Sequence, residues 1–177
     1  FTEAAQRGVS PVVITTDGNT SVIRAIRTVW PEAIVQRCLV HIQRQGLAWL
    51  RRKPKLIQAI QLRRLFLRIF KIETEFDRDQ FLLAFLAWER CHGQAVERLP
   101  SSDKVYGDLQ RARSLLLHAW PDMFQYLNDV RIAPTTNRIE GYFSDLKGRY
   151  KQHHGLSKNT RPKYLFWYVY LKNQRLK

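Results

Sequence analysis

The sequence predicts a mixed α/β fold with a long helical insertion, and three observations carry that prediction. Val12-Val13-Ile14-Thr15-Thr16 and Ala33-Ile34-Val35-Gln36 are short apolar runs rich in β-branched residues, as expected of buried strands in a parallel or mixed sheet. A capped helical pattern lies between them, so the order strand, helix, strand is half of a doubly wound sheet. From about residue 42 to about 131 the strand signals vanish and helical spacing takes over. The expected organisation is therefore a strand-helix-strand part over 1–41, a helical insertion over 42–131, and a return to the sheet over 132–177.

In chain order, Thr2–Arg7 reads as a helix end closed by Gly8, a residue common just past helix termini. The first strand ends at the turn pair Asp17-Gly18. Asn19, Thr20 and Ser21 supply caps for a helix through Trp30, which Pro31 stops. After the second strand, Ile42–Arg52 is expected to be helical up to Pro54. Leu56–Ile72 follows, with Leu62, Leu65, Phe66, Ile69 and Phe70 inward. Asp77 or Asp79 caps the next helix, where Phe81, Phe85 and Trp88 recur at four and three up to Gly93. Ser102 opens another helix, with Val105, Leu109, Ala112 and Leu116 on one side, and Pro121 a shorter one through Val130. Asn137 caps a helix carrying Ile139, Tyr142, Phe143 and Leu146 at helical steps. Thr160-Arg161-Pro162 begins a final aromatic-rich helix, although β-propensity also allows a strand there.

At 177 residues the chain is long enough to bury a core, and its 45% apolar content excludes simple disorder. Its formal charge of +15 attracts polyanions, nucleic acid foremost. The charge is unevenly placed. No acidic residue lies between Glu32 and Glu73, against ten basic ones that include Arg37, Arg44, Arg51, Arg52, Arg64, Arg68 and Lys71. After Glu140 the single acid is Asp145, against nine basic residues that include Lys147, Arg149 and Lys151. An ordinary solvated face mixes signs, whereas phosphate contacts favour depletion of one sign. Arg64, Arg68 and Lys71 share one helix face. No apolar run approaches the roughly 20 residues of a membrane span. Cys38 and Cys91 give no disulfide framework and suit a reducing compartment. The chain opens with Phe1 rather than Met, and no signal-peptide pattern follows, so it is expected to begin inside a longer product or inside a decayed open reading frame.

Asp17 falls at the carboxyl end of a strand, where ligands of such sheets bind, but an Asx turn before a helix explains it equally. Glu140 also has two readings. It is either a capping-box glutamate folded back on Asn137, or a metal-binding carboxylate fixed on a rigid helix. Cys38-x-x-His41 has zinc-like spacing but supplies two ligands where structural zinc takes four. Cys91-His92 and His153-His154 are the possible second halves, and adjacent residues chelate poorly. No zinc is expected.

Four motifs taken together resemble one family. Val-Ile-Thr-Thr-Asp17-Gly18, Trp30-Pro31, Val35-Gln-Arg-Cys38-Leu-Val-His41 and Thr135-Thr-Asn137-Arg-Ile-Glu140-Gly follow the order and spacing of Mutator-like DDE transposases of bacterial insertion sequences. The resemblance implies an RNase H-like catalytic domain interrupted by a helical insertion, represented here without its N-terminal strands. It implies that Asp17 and Glu140 are two catalytic, metal-binding carboxylates, and that Cys38 and His41 form the family's Cys-x-x-His signature. It further implies two Mg²⁺ or Mn²⁺ ions, strand cleavage and transfer on double-stranded DNA at transposon ends and target, self-association, and a cytoplasmic, nucleoid-associated bacterial protein. The family's first aspartate precedes Asp17, and Glu3 is the only acid there. A non-catalytic, basic DNA-binding remnant of a truncated transposase is therefore the alternative.

Overall fold

The computed structural model describes residues 1–153 and 155–174, so His154, Arg175, Leu176 and Lys177 lie outside the described residues. Strands β1 (Val13–Thr16) and β2 (Ile34–Arg37) pair in parallel, Val13 opposite Ile34 and Thr16 opposite Arg37. Between them runs α2 (Thr20–Val29), started by Asn19, whose side chain accepts hydrogen bonds from the backbone N–H groups of Ser21 and Val22. Parallel strands need such a crossover, because a tight turn cannot bring the chain back to the same end. The short helix α1 (Thr2–Gln6) precedes β1, and Gly8 takes the left-handed conformation at φ 84° beyond its end. The Trp30 indole N–H donates to the Val9 carbonyl at 2.9 Å and ties α2 to this segment.

Beyond β2 the chain is helical: α3 (Leu39–Leu50), α4 (Ile57–Arg68), α5 (Glu75–Trp88), a π-helical turn (Glu89–Gly93), α6 (Gln94–Glu97) and α7 (Lys104–Ala119). Helix α3 packs against α4 and α7, and α4 against α5. Their shared core contains Ile42, Leu62, Phe66, Phe81, Phe85, Leu109 and Leu116, each at most 1% exposed. Burying side chains of this size contributes about 1.5–3 kcal/mol each. The expected inward residues of α4 and α5 are largely in place. Phe70, just past α4, and Val105 in α7 are exceptions to the expected inward residues, 45% and 43% exposed. Phe70 sits in a 3-10 turn that ends α4 early, which rotates it off the helix stripe.

Helix starts differ from expectation where two caps compete. Thr74, not Asp77 or Asp79, caps α5, and Asp77 folds back onto the Thr74 N–H in a capping box. Asp103 rather than Ser102 caps α7. Pro121–Val130 forms two short 3-10 turns, Trp120–Asp122 and Gln125–Leu127, instead of a helix. The fully buried Gln36 side chain explains this. Its amide donates to the Met123 carbonyl at 3.0 Å and accepts from the Tyr126 N–H at 3.2 Å, replacing helical backbone partners.

Residues group into two units, Phe1–Thr136 and Asn137–Lys177. The second contains α8 (Asn137–Gln152) and α9 (Thr160–Gln174), so the last aromatic stretch is a helix. Asp145 links the two helices, accepting from the Tyr168 hydroxyl at 2.7 Å, Arg149 Nε at 2.9 Å and Lys172 Nζ at 3.1 Å. These three donors hold its carboxyl well below the usual range, and burial and Asp145 push the Tyr168 hydroxyl up to about 12. Tyr142 and Tyr168 meet edge to face at 5.8 Å. The aromatics of α9 are not a buried stripe, since Phe166, Trp167 and Tyr170 are all substantially exposed.

Gly46 of α3 lies against the buried Phe66 ring, where an added Cβ would come within 2.1 Å of Cε1. Overpacking costs about 1–3 kcal/mol, against about 1 kcal/mol gained in helix propensity. Gly46→Ala is expected to lower stability by up to about 2 kcal/mol in urea melts, whereas Gly148→Ala in α8, with open space around it, is expected to raise it.

Candidate functional site

The carboxyl ends of β1 and β2 place Asp17 and Cys38 at the same end of the parallel pair. Thr16 closes β1 and Asp17 follows it, exposed, with Oδ1 accepting from the Asn19 N–H at 3.0 Å and the Thr16 hydroxyl at 3.3 Å. One carboxylate oxygen thus orients the Asx turn while Oδ2 remains at the surface. The turn itself needs Gly18, which has φ 91°.

Cys38 follows β2 and caps α3, its side chain fully buried. The thiolate-capable sulfur accepts from the Thr136 N–H at 3.3 Å and the Thr136 hydroxyl at 3.2 Å. Burial pushes the Cys38 thiol up, but hydrogen bonds from Thr136 and His41 outweigh it and bring the thiol below its ordinary value. His41 stands in the first turn of α3, half-buried. The same strand ends receive two further bonds from the returning chain. The Thr15 hydroxyl donates to the Ala133 carbonyl at 2.9 Å, and the Leu39 N–H donates to the Pro134 carbonyl at 3.0 Å. Cys38, Thr15 and Leu39 therefore anchor Ala133–Thr136, and His41 hydrogen-bonds to Cys38. Cys91 lies in the π-helical turn and is exposed, and His92 Nε2 meets the Gln61 side-chain oxygen at 2.7 Å.

Glu140 belongs to the second unit and is exposed in the first turn of α8. That helix begins at Asn137, so Ile139 rather than Glu140 occupies the third helical position, where a capping-box carboxylate sits. The expected N-cap, Asn137, is instead the first helical residue, so Glu140 falls outside the capping-box position.

The basic residues sort by what they touch. Arg44, Arg51, Arg52, Arg64, Arg68 and Lys71 are exposed, and none forms an ion pair among the described residues. Arg51 is held in shape, with φ 57° and its carbonyl accepting from Arg63 Nε at 2.7 Å. In the second unit Lys147 and Lys151 are exposed, whereas Arg149 is spent on Asp145.

Sequence reasoning passed over Arg37 as one more basic residue. It is 5% exposed, and its guanidinium lies flat on Gly18, where a Cβ would sit 2.0 Å from Nη2. Burial pulls its pKa below the ordinary arginine value, and the charges of Asp122, Asp17 and Cys38 offset this only in part. The available signal was an arginine inside a strand run, between Gln36 and Cys38.

Comparison with known proteins agrees with this arrangement of motifs. A family model described as transposase, Mutator family, matches residues 1–154. No curated protein and no solved structure matches the chain.

The Thr136 anchor predicts a measurable cost. Cys38→Ala leaves two donors without their acceptor, which costs about 1–3 kcal/mol. The expected result is a lower melting temperature together with faster amide exchange at Thr136 and Leu39, while the amides of α5 stay protected.

Proposed function

The chain belongs to the Mutator family of transposases, and from that membership we propose that Asp17 and Glu140 act together in metal-dependent cleavage and transfer of DNA strands. The observation that carries this reading is the anchoring of Thr136 to the sulfur of Cys38 at the ends of both strands. Glu140 follows Thr136 by four positions in the chain and stands in the first turn of α8. The RNase H-like assignment rests on the same features: a parallel strand pair, an aspartate after the first strand, and a helical region before the glutamate.

The donor set fits a hard divalent cation. Asp17 Oδ2 and the exposed Glu140 carboxylate are oxygen ligands of the kind Mg²⁺ and Mn²⁺ prefer. When bound, such ions activate an attacking hydroxyl and stabilise the leaving oxygen of a phosphodiester. The chain's own part is to fix the carboxylates. Asn19 and Thr16 hold Asp17 through Oδ1, Gly18 permits the turn, and α8 presents Glu140 from a rigid first turn.

Double-stranded DNA, at transposon ends and target, is the proposed substrate. Arg44, Arg51, Arg52, Arg64, Arg68 and Lys71 support it in the first unit, since unpaired exposed cations can take phosphate contacts. Lys147 and Lys151 do so in the second. Self-association is proposed as well, because each strand of the two-stranded sheet has an outer edge with no strand beside it among the described residues. No helix among those residues is long and apolar enough to cross a membrane.

Glu3, the one acid before Asp17, is exposed and paired with Arg7 at 2.6 Å, which makes it a poor third ligand. The purified chain is therefore expected to bind duplex DNA without nicking it in Mg²⁺ or Mn²⁺. Metal-dependent nicking lost in Asp17→Asn would show a complete site in these residues. Binding should weaken steeply with salt, and charge reversal at Arg64, Arg68 and Lys71 should weaken it equally on unrelated sequences.

In a transposase that does transfer strands with this sequence, Glu140→Gln is expected to abolish transfer and leave stability within about 0.5 kcal/mol, as for an exposed surface change. Retained activity with a large drop in melting temperature would return Glu140 to a structural cap.

A further inference from the structure

On the α2 side of Arg37 lies a cleft of about 440 Å³ lined by Arg24, Arg27, Arg37, His118 and Asp122, among others. Its charge is lopsided. Asp122 is committed to Arg27 at 2.6 Å, which leaves the charges of Arg24 and Arg37 uncompensated by any ion pair among the described residues. Among the described residues lining the cleft, the one acid is thus ion-paired with Arg27 and lends only part of its field to Arg37.

Arg37 supplies the second observation. Its side chain is more than nine-tenths buried, yet Nε has no hydrogen-bond partner among the described residues. Native interiors rarely leave a buried donor unsatisfied, and a guanidinium fork matches the paired oxygens of a phosphate. The group is also preorganised. Gly18 lies flush beneath it, and the strand fixes its backbone, so little side-chain freedom remains to be lost on binding.

We propose that this cleft is a phosphate subsite, and that the phosphate it takes is a backbone phosphodiester of bound DNA. Arg37 and Arg24 make the contacts, with Arg27 and Asp122 forming the wall. Because Arg37 rests on Gly18, the subsite adjoins Asp17, and a strand held there is positioned beside the catalytic carboxylate rather than at it. Arg37 is a positioning residue in this scheme. The identification of the phosphate as DNA rests on the transposase reading above.

Two measurements on the 177-residue chain test this. Inorganic phosphate is titrated into nitrogen-15-labelled protein, following arginine Nε–H signals and the amides of Thr20, Arg24 and His118. Saturable shifts confined to these groups are expected, weakened about tenfold or more by Arg37→Met. No saturable shift, or shifts spread equally over Arg64, Arg68 and Lys71, overturns the subsite. In parallel, the salt dependence of binding to a short random duplex is measured. Arg37→Met and Arg24→Gln should each reduce the slope of log K against log salt by about 0.9, one phosphate contact. Arg131→Gln, an exposed arginine outside the cleft and bonded to Asp129, controls for net charge and should leave the slope unchanged. Arg24 is exposed, so its variant keeps the test alive should Arg37→Met fold poorly. Phosphate binding with unchanged slopes would overturn the assignment to DNA. Silent cleft variants beside a strong effect of reversing Arg64, Arg68 and Lys71 would overturn the subsite while leaving the DNA reading standing.

Discussion

Two hydrogen bonds into one buried sulfur fix the geometry on which the candidate site depends. Thr136 reaches Cys38 through its N–H and its hydroxyl, and Thr15 and Leu39 clamp Ala133 and Pro134 beside it. About ninety residues of helix separate β2 from this return. Closing so long an excursion costs loop entropy that rises only slowly with length. A few well-made contacts at the point of return therefore suffice to define where the next helix starts. Sulfur suits this position, since it is small enough for a strand end and accepts two donors without the desolvation cost of a carboxylate.

Gln36 does the matching work on the other side of β2. A fully buried amide there satisfies backbone groups of Arg37, Met123 and Tyr126 at once, locking the sheet to the end of the helical region. A buried network of this kind is stable only when every member is satisfied. It also explains the local turn geometry, since the chain around Met123 spends its hydrogen bonds on a side chain instead of on a helix.

This division accounts for what could be read from the sequence. The two strands, the Asn19 cap and the Phe81, Phe85 and Trp88 stripe are local features, and residues a few positions apart announce them. Asp17 and the Cys38 and His41 pair were legible as motifs for the same reason. Gln36 and Thr136 act on partners some 90 residues away, which no periodicity encodes. The role of Arg37 was hidden by the same distance, because its setting depends on Gly18 and Asp122 together. The excess of positive charge was legible in total but not in effect. Many acids turn out to be engaged nearby, as in Asp129 with Arg131, Asp145 with Arg149, and Glu89 with Arg113. The stretches without acids are what keep their charge for a partner.

The π-helical turn at Glu89–Gly93 has an implication for how this helical region tolerates change in chain length. A π turn holds one residue more than the α-helix around it, and here Glu89, folded over Gly93 and bound to Arg113, braces the surplus. The residues after it are rotated by about 100° relative to an uninterrupted helix, and it is in this rotated register that Val96 is buried. Losing one residue at the turn would restore regular hydrogen bonding yet turn Val96 away from the core. Insertions and deletions at this point thus trade backbone regularity against side-chain register.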